Sequence, residues 1–195
     1  MSKQKFFIDF DDTLVQSSRR FCELYSDIYN DDLDFIKPNY RINDLWNFGE
    51  QCPLLKKYNE YNVEDLFGMK EFFRGLEMQP NAYNVVRELN KKYELCIVSI
   101  GTMSNLQHKA EYIKNNLSFI DDVVLLYNKG SQMDKSIVNC PEDSIFMDDV
   151  LENLLSVRSG HKYVYGVEKP WNVYSANCGY KRLMNYEDVA NEFLK

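Results

Sequence analysis

Asp9 and Asp11 stand two positions apart at the end of an apolar run, Phe6-Phe7-Ile8, with Asp12 and Thr13 directly behind them. A run this short, cut off by acids, reads as a buried strand. In an open parallel sheet, ligands bind just beyond the carboxyl ends of the strands. Asp9 and Asp11 would then share one crevice, where two close carboxylates repel unless a cation or a proton intervenes. A hard divalent ion with oxygen ligands relieves that repulsion, and Mg²⁺ is the expected ion.

Three further groups lie at strand ends. Ser99 closes the apolar run Leu95-Cys96-Ile97-Val98. Its hydroxyl could donate to a phosphate oxygen, with the amides of Ile100 and Gly101 opening toward a helix as further donors. Lys135 could supply the buried cation that balances a nucleophile and a phosphate, a role for which Lys109 and Lys129 compete. Asp148 and Asp149 follow Ile145-Phe146-Met147. Asp148, with Asp9 and the main-chain carbonyl of Asp11, could complete an oxygen shell around Mg²⁺. Asp149 is placed as the N-cap of a helix over 150–156, orienting its neighbour.

The rest of the chain must position these groups. Its 195 residues suffice for one substantial domain with an insert, and 45% of them are hydrophobic, so a packed core is feasible. No apolar run nears the roughly 20 residues that span a bilayer, and the N-terminus lacks an apolar signal region. Five scattered cysteines without a Cys-x-x-Cys pair point to a reducing, cytoplasmic setting. The formal charge of -7 disfavours a long nucleic acid, but not a small phosphate ester met by local cations and a metal.

Phe21, Leu24, Tyr25 and Ile28 predict a helix after Ser17 or Ser18 as N-cap. Residues 34–53 read as loop with short helical turns, 54–61 and 63–73 as helices, the latter closed by Gly75. Pro80 is expected at the first turn of the next helix. Strands at 93–99, 123–127, 144–147 and 162–167 then alternate with helices, one of them turning Leu106, Ala110 and Ile113 inward, before a brief strand at 182–184 and a helix from Tyr186. Alternation of this kind predicts an α/β fold, a doubly wound parallel sheet. The mostly helical residues 16–78 form an insert after the first strand. The expected domains are therefore an α/β core, 1–15 with 79–195, and a small helical cap, 16–78.

Asp9-Phe10-Asp11-Asp12-Thr13, then Ser99, Lys135 and Asp148-Asp149 in that order, resembles the haloacid dehalogenase-like (HAD) phosphohydrolases. The resemblance implies a Rossmann-like HAD core, Asp9 as nucleophile forming an aspartyl-phosphate, and Asp11 as general acid and then base. It also implies Asp9, Asp11 and Asp148 on the metal, Asp149 behind them, and Ser99, Ile100, Lys135 and Thr13 around the phosphate. A narrower resemblance, to 5'(3')-deoxyribonucleotidases, rests on the segment 72–82, on Asp134-Lys135-Ser136-Ile137-Val138, on Pro170-Trp171-Asn172 and on the closing segment 182–188. It implies a nucleoside monophosphate as substrate; a homodimer is compatible with it. The rivals are a phosphatase for a sugar phosphate or a nucleic acid 3'-phosphate, and a non-catalytic HAD-like protein that binds a phospho-ligand. Two departures stand out: Ile100 where that family has Ser, and Asn81 where it has Gly. Residues 30–65 do not align with it. Base stacking is assigned to Phe72, Phe73, Trp46 and Phe48 as candidates.

Overall fold

The computed structural model describes residues 3–41, 48–128 and 134–195. Among them, six strands form one parallel sheet in the order β3-β2-β1-β4-β5-β6. The strands are β1 (Lys5–Asp9), β2 (Glu94–Gly101), β3 (Asp122–Tyr127), β4 (Ile145–Asp148), β5 (His161–Tyr165) and β6 (Lys181–Leu183). The chain winds outward from β1 through β2 to β3, then returns to the other side of β1 with β4. The strand order therefore reverses beside β1, where open α/β sheets form their ligand crevice.

The apolar runs are continuous because helices cover both faces of the sheet. Phe6, Ile8, Leu95, Ile97, Ile145 and Met147 belong to one buried cluster. Their strand neighbours Phe7, Cys96, Val98 and Phe146 belong to the other, with Leu154 and Val157. A one-residue slip of β1 would exchange these two sets and misplace Asp9.

Among the described residues, five helices lie between β1 and the helix leading to β2: α1 (Ser17–Tyr29), α2 (Phe48–Gln51), α3 (Pro53–Tyr58), α4 (Val63–Gly68) and α5 (Lys70–Arg74). The chain segments that enter and leave this insert run side by side: Gln16 N–H donates to the Glu77 carbonyl at 2.9 Å, and Gln79 N–H to the Leu14 carbonyl at 2.9 Å. Next come α6 (Ala82–Lys92) and, after β2, α7 (Met103–Asn116). The helix α8 (Leu151–Ser156) follows β4, a 3₁₀ helix spans Val173–Cys178, and α9 (Tyr186–Phe193) closes the chain.

Several local expectations change. Neither Ser17 nor Ser18 caps α1, whose N-cap is Gln16; both serines bond to the acids after β1 instead. The buried stripe of α1 ends in Tyr29, and Ile28 is exposed. The helix expected over 63–73 is two, because Met69 takes an extended ψ of 144° between α4 and α5. Pro80 precedes α6 rather than opening it: the N-cap is Asn81, at φ 63°. That left-handed value explains the residue type, since Asn reaches it at lower cost than most side chains.

The insert meets the core at α4 and α7. Asn105 Nδ2 donates to the Phe67 carbonyl at 2.8 Å. A Cβ on Gly101 would collide with Asn105 Oδ1, and would stand 3.1 Å from Asn105 Cγ and 3.3 Å from Leu106 Cδ2. Gly101→Ala is therefore expected to lower stability by about 1–3 kcal/mol, the usual range for overpacking. Urea unfolding would measure this; a change within about 0.5 kcal/mol, typical of neutral surface substitutions, would show that Asn105 gives way without strain.

Candidate active site

β1 ends in Asp9 and β4 ends in Asp148, one position beyond the registered pair Ile8–Met147. Single carboxylate oxygens of Asp9, Asp148 and Asp149 all lie within 4.8 Å of one another. Asp148 is fully buried and Asp9 nearly so. Lys135 is buried between them. Its Nζ donates to Asp9 Oδ1 and, at 2.6 Å, to Asp148 Oδ2. Of the lysines weighed from sequence, Lys135 thus meets Asp9, Lys109 meets Asp11, and Lys129 lies outside the described residues.

Asp149 is not the N-cap of α8; that position is Val150, which makes no side-chain cap bond, and Asp148 instead ties down the start of the helix. Its Oδ1 accepts from Val150 N–H at 2.9 Å and from Asn153 Nδ2 at 3.1 Å. Asp149 turns toward the crevice and is held from behind: Trp171 Nε1 donates to Oδ2 at 3.0 Å, and Asn172 Nδ2 to its carbonyl at 2.9 Å. Arg182 fastens that loop, donating to the Asn172 carbonyl, Asn172 Oδ1 and Ser175 Oγ at 3.0–3.1 Å. Thr13 is buried with its hydroxyl 3.0 Å from Asp149 N–H. It braces the acid instead of opening toward a ligand.

The turn after β1 is tight. Asp12 adopts φ 52°, a left-handed value uncommon for a non-glycine residue. Its carboxylate binds both Ser18 N–H, at 2.9 Å, and the Ser18 hydroxyl, while Gln79 Nε2 donates to its carbonyl at 3.0 Å. Those bonds offset the backbone strain.

Electrostatics follow from the burial of so many acids. Desolvation lifts the Asp9 carboxyl to about 8; Lys135 opposes this, and Asp148 and Asp11 reinforce it. Desolvation likewise lifts Asp12 to about 6, against the Ser18 bonds and with help from Asp11. Asp149 is raised well above the ordinary carboxylate range by burial, then by Asp148, Asp12 and Asp9, with the Trp171 bond opposing. Burial alone would lower the Lys135 ammonium, but Asp148 and Asp9 reverse that, and its affinity for a proton rises. Carboxylates therefore outnumber cations here, and every ligand atom in the acidic group is a hard oxygen. Mg²⁺ fits such a donor set.

A cavity of about 310 Å³ opens over these groups, at the lower end of the range for small-molecule sites. Asp9, Asp11, Asp12, Asp149, Lys109 and Lys135 line its floor, and Phe48, Val63, Phe67 and Trp171 line its apolar side. Ile100 also faces it, whereas Ser99 is buried beneath, its hydroxyl 3.2 Å from Asp11 Oδ2. Of the aromatic residues expected to stack a base, Phe48 lines the cavity. Phe72 and Phe73 do not. They are buried against each other and, through Phe72, against Phe67, because α5 turns them into the interior. Trp46 lies outside the described residues. Phe67, Trp171 and Asn153, which the sequence reading does not assign to the site, also line it, as does Lys109, which that reading offers only as a rival to Lys135. For Asn153 the available signal was its place one helical turn past the paired acids.

Solved structures with this architecture include a haloacid dehalogenase-like hydrolase from Streptococcus pneumoniae, with TM-score 0.64, 18% identity and 98% of each chain covered. Another is a HAD hydrolase from Bacillus subtilis bound to magnesium, with TM-score 0.59, 12% identity and 99% of each chain covered. The chain has the HAD fold. No family model matches the sequence. Among curated proteins, a 5'(3')-deoxyribonucleotidase of Bacillus subtilis (strain 168) is 28% identical over 148 residues, 73% of this chain and 78% of the relative. A 5'(3')-deoxyribonucleotidase of Bacillus phage SPbeta matches to the same extent. On the HAD fold of this chain, Asp9 ends the central strand and the acidic group occupies the crevice where the strand order reverses.

Proposed function

We propose that this protein is a Mg²⁺-dependent phosphomonoesterase that works through an aspartyl-phosphate on Asp9 and accepts nucleoside monophosphates. The observation that carries the reading is the gathering of Asp9, Asp148 and Asp149 within 4.8 Å, with Lys135 on Asp9 and Asp11 at the same cavity. The likeness to two 5'(3')-deoxyribonucleotidases supports the substrate class. So do Phe48, Phe67 and Trp171 at the cavity, since aromatic faces suit a planar base. In this reading residues 1–15 and 79–195 are the catalytic core and 16–78 the cap that selects the substrate.

Asp9, the main-chain carbonyl of Asp11 and the acids at the end of β4 would hold the ion, with Asp149 as the acid that faces the cavity and Asp148 engaged by Lys135, Val150 and Asn153. When bound, Mg²⁺ polarises the phosphoryl oxygens and neutralises their charge. Lys135 holds Asp9 Oδ1, leaving Oδ2 as the attacking atom. The Oδ2–P bond forms as the P–O bond to the leaving group breaks, and the carboxyl of Asp11 gives its proton to the departing oxygen. Asp11, now a carboxylate, takes a proton from water. That water attacks phosphorus, the Oδ2–P bond breaks, and inorganic phosphate leaves with Asp9 restored. Lys135 and the Ile100 amide offset charge on the transferring group.

The test is a panel of deoxyribonucleoside and ribonucleoside monophosphates set against sugar phosphates, scored by phosphate release with and without Mg²⁺. Nucleotides are expected to show the highest kcat/KM. Preference for sugar phosphates would move the substrate class, and binding without release of phosphate from any ester would favour a non-catalytic role.

A further inference from the structure

A second buried cation, Lys109, lies on the core face of α7, in line with Leu106 and Ile113. A lysine on such a face is desolvated and needs partners for its protons. It has three. Nζ donates to Asp11 Oδ2, to Ser99 Oγ at 2.8 Å and to the Ile100 carbonyl at 3.0 Å. The Phe10 ring lies below it, 5.5 Å from centroid to Nζ. The two buried lysines thus serve different acids: Lys135 grips Asp9 and Asp148, and Lys109 grips Asp11.

Asp11 is held from three elements at once. Ser17 of α1 donates to Oδ1 at 2.6 Å, Ser99 of β2 to Oδ2 at 3.2 Å, and Lys109 of α7 to the same Oδ2. Its remaining side faces the cavity. We infer that Lys109 is a positioning residue for Asp11, locking that carboxyl at the leaving-group oxygen of a phosphate monoester. The inference rests on the phosphomonoesterase reading above. Ser99 takes a matching part: its hydroxyl joins Lys109 to Asp11 and so serves the acid–base group.

The test compares Lys109→Met with the wild type on two esters, one with a poor leaving group (a nucleoside monophosphate) and one with a good one (p-nitrophenyl phosphate). The expected result is a fall in kcat of about 10- to 100-fold on the nucleotide, the usual effect of removing an orienting partner, with KM little changed. The aryl ester, whose departing oxygen needs no proton, should lose far less. Equal losses on both esters would overturn the inference, because a general weakening of the site has no leaving-group dependence. A second comparison covers the case in which Lys109→Met fails to fold once Asp11 has lost its cation. In an Asp11→Asn background, Lys109→Met should bring no further loss of turnover, since a residue that acts through Asp11 has nothing left to act on. Additional loss there would contradict the inference. A wild-type protein that releases phosphate from neither ester would instead remove the phosphatase reading on which it stands.

Discussion

Asp9→Asn is expected to abolish phosphate release from a generic aryl phosphate while leaving the fold intact. The loss should reach about 10⁴-fold or more, the scale seen when a covalent nucleophile is removed. An amide cannot form the acyl-phosphate, and the other acids of the site are already committed. Asp148 is wholly buried and bonded to Lys135, Val150 and Asn153, and Asp149 is braced by Trp171. Stability should move the other way. The Asp9 carboxyl is raised to about 8 from an ordinary 3.8 by desolvation, so the native state holds its proton more tightly than the unfolded chain does. Its contribution to stability is present below about 4 and is lost as pH rises through about 8. In metal-free buffer Asp9→Asn should therefore gain on the wild type between pH 5 and pH 8 in urea unfolding. A variant that turns over at the wild-type rate would reject Asp9 as nucleophile, and one that becomes less stable than the wild type at pH 8 would reject the desolvation account.

Removal of divalent metal is expected to have an effect of similar size. A chelator should stop turnover, and added Mg²⁺ should restore it. At about 100 times its Kd, Mg²⁺ should stabilise the fold by about 2.7 kcal/mol, which is about 5–10 °C in Tm for a chain of this length. The physical reason is the surplus of carboxylates around Asp9, Asp148 and Asp149. The pH dependence has a definite sign. Asp9 and Asp149 both bind protons more tightly than ordinary carboxyls, and a metal must displace those protons. Affinity for Mg²⁺ should rise as pH rises from 6 to 8. Asp149→Asn should remove most of the Tm shift. Full turnover in chelator, or no shift in Tm with Mg²⁺, would contradict the proposed role of the ion.

The strand-end acids were legible because their position depends on a local pattern. Phe6-Phe7-Ile8 and Ile145-Phe146-Met147 are apolar because both faces of the sheet are covered, and the acids stand at the strand ends, just past these apolar runs. The parallel sheet was legible for the same reason. What depended on distant partners was not. Ser17 and Ser18 have the composition of helix caps, but Asp11 and Asp12 claim them through a turn that only the folded chain creates. The apolar spacing predicts Ala110 facing inward and leaves Lys109 no more than a rival to Lys135. The structure exposes Ala110 and buries Lys109, because a carboxylate waits beneath it. Phe72 and Phe73 show the same limit from the other side: aromatic residues in a helical insert can face a ligand or one another, and here α5 packs them inside. Asn81 is the reverse case, a departure from the expected Gly that its φ of 63° explains.

Chemical trapping of the covalent intermediate tests the central claim most directly. Turnover with a phosphate monoester and Mg²⁺ would be quenched with borohydride, which reduces an acyl phosphate to an alcohol, and the peptides read by mass spectrometry. The account predicts conversion of Asp9 to homoserine, dependent on substrate and absent from Asp9→Asn. Steady hydrolysis with Asp9 unmodified, or with the modification on another aspartate, would contradict it.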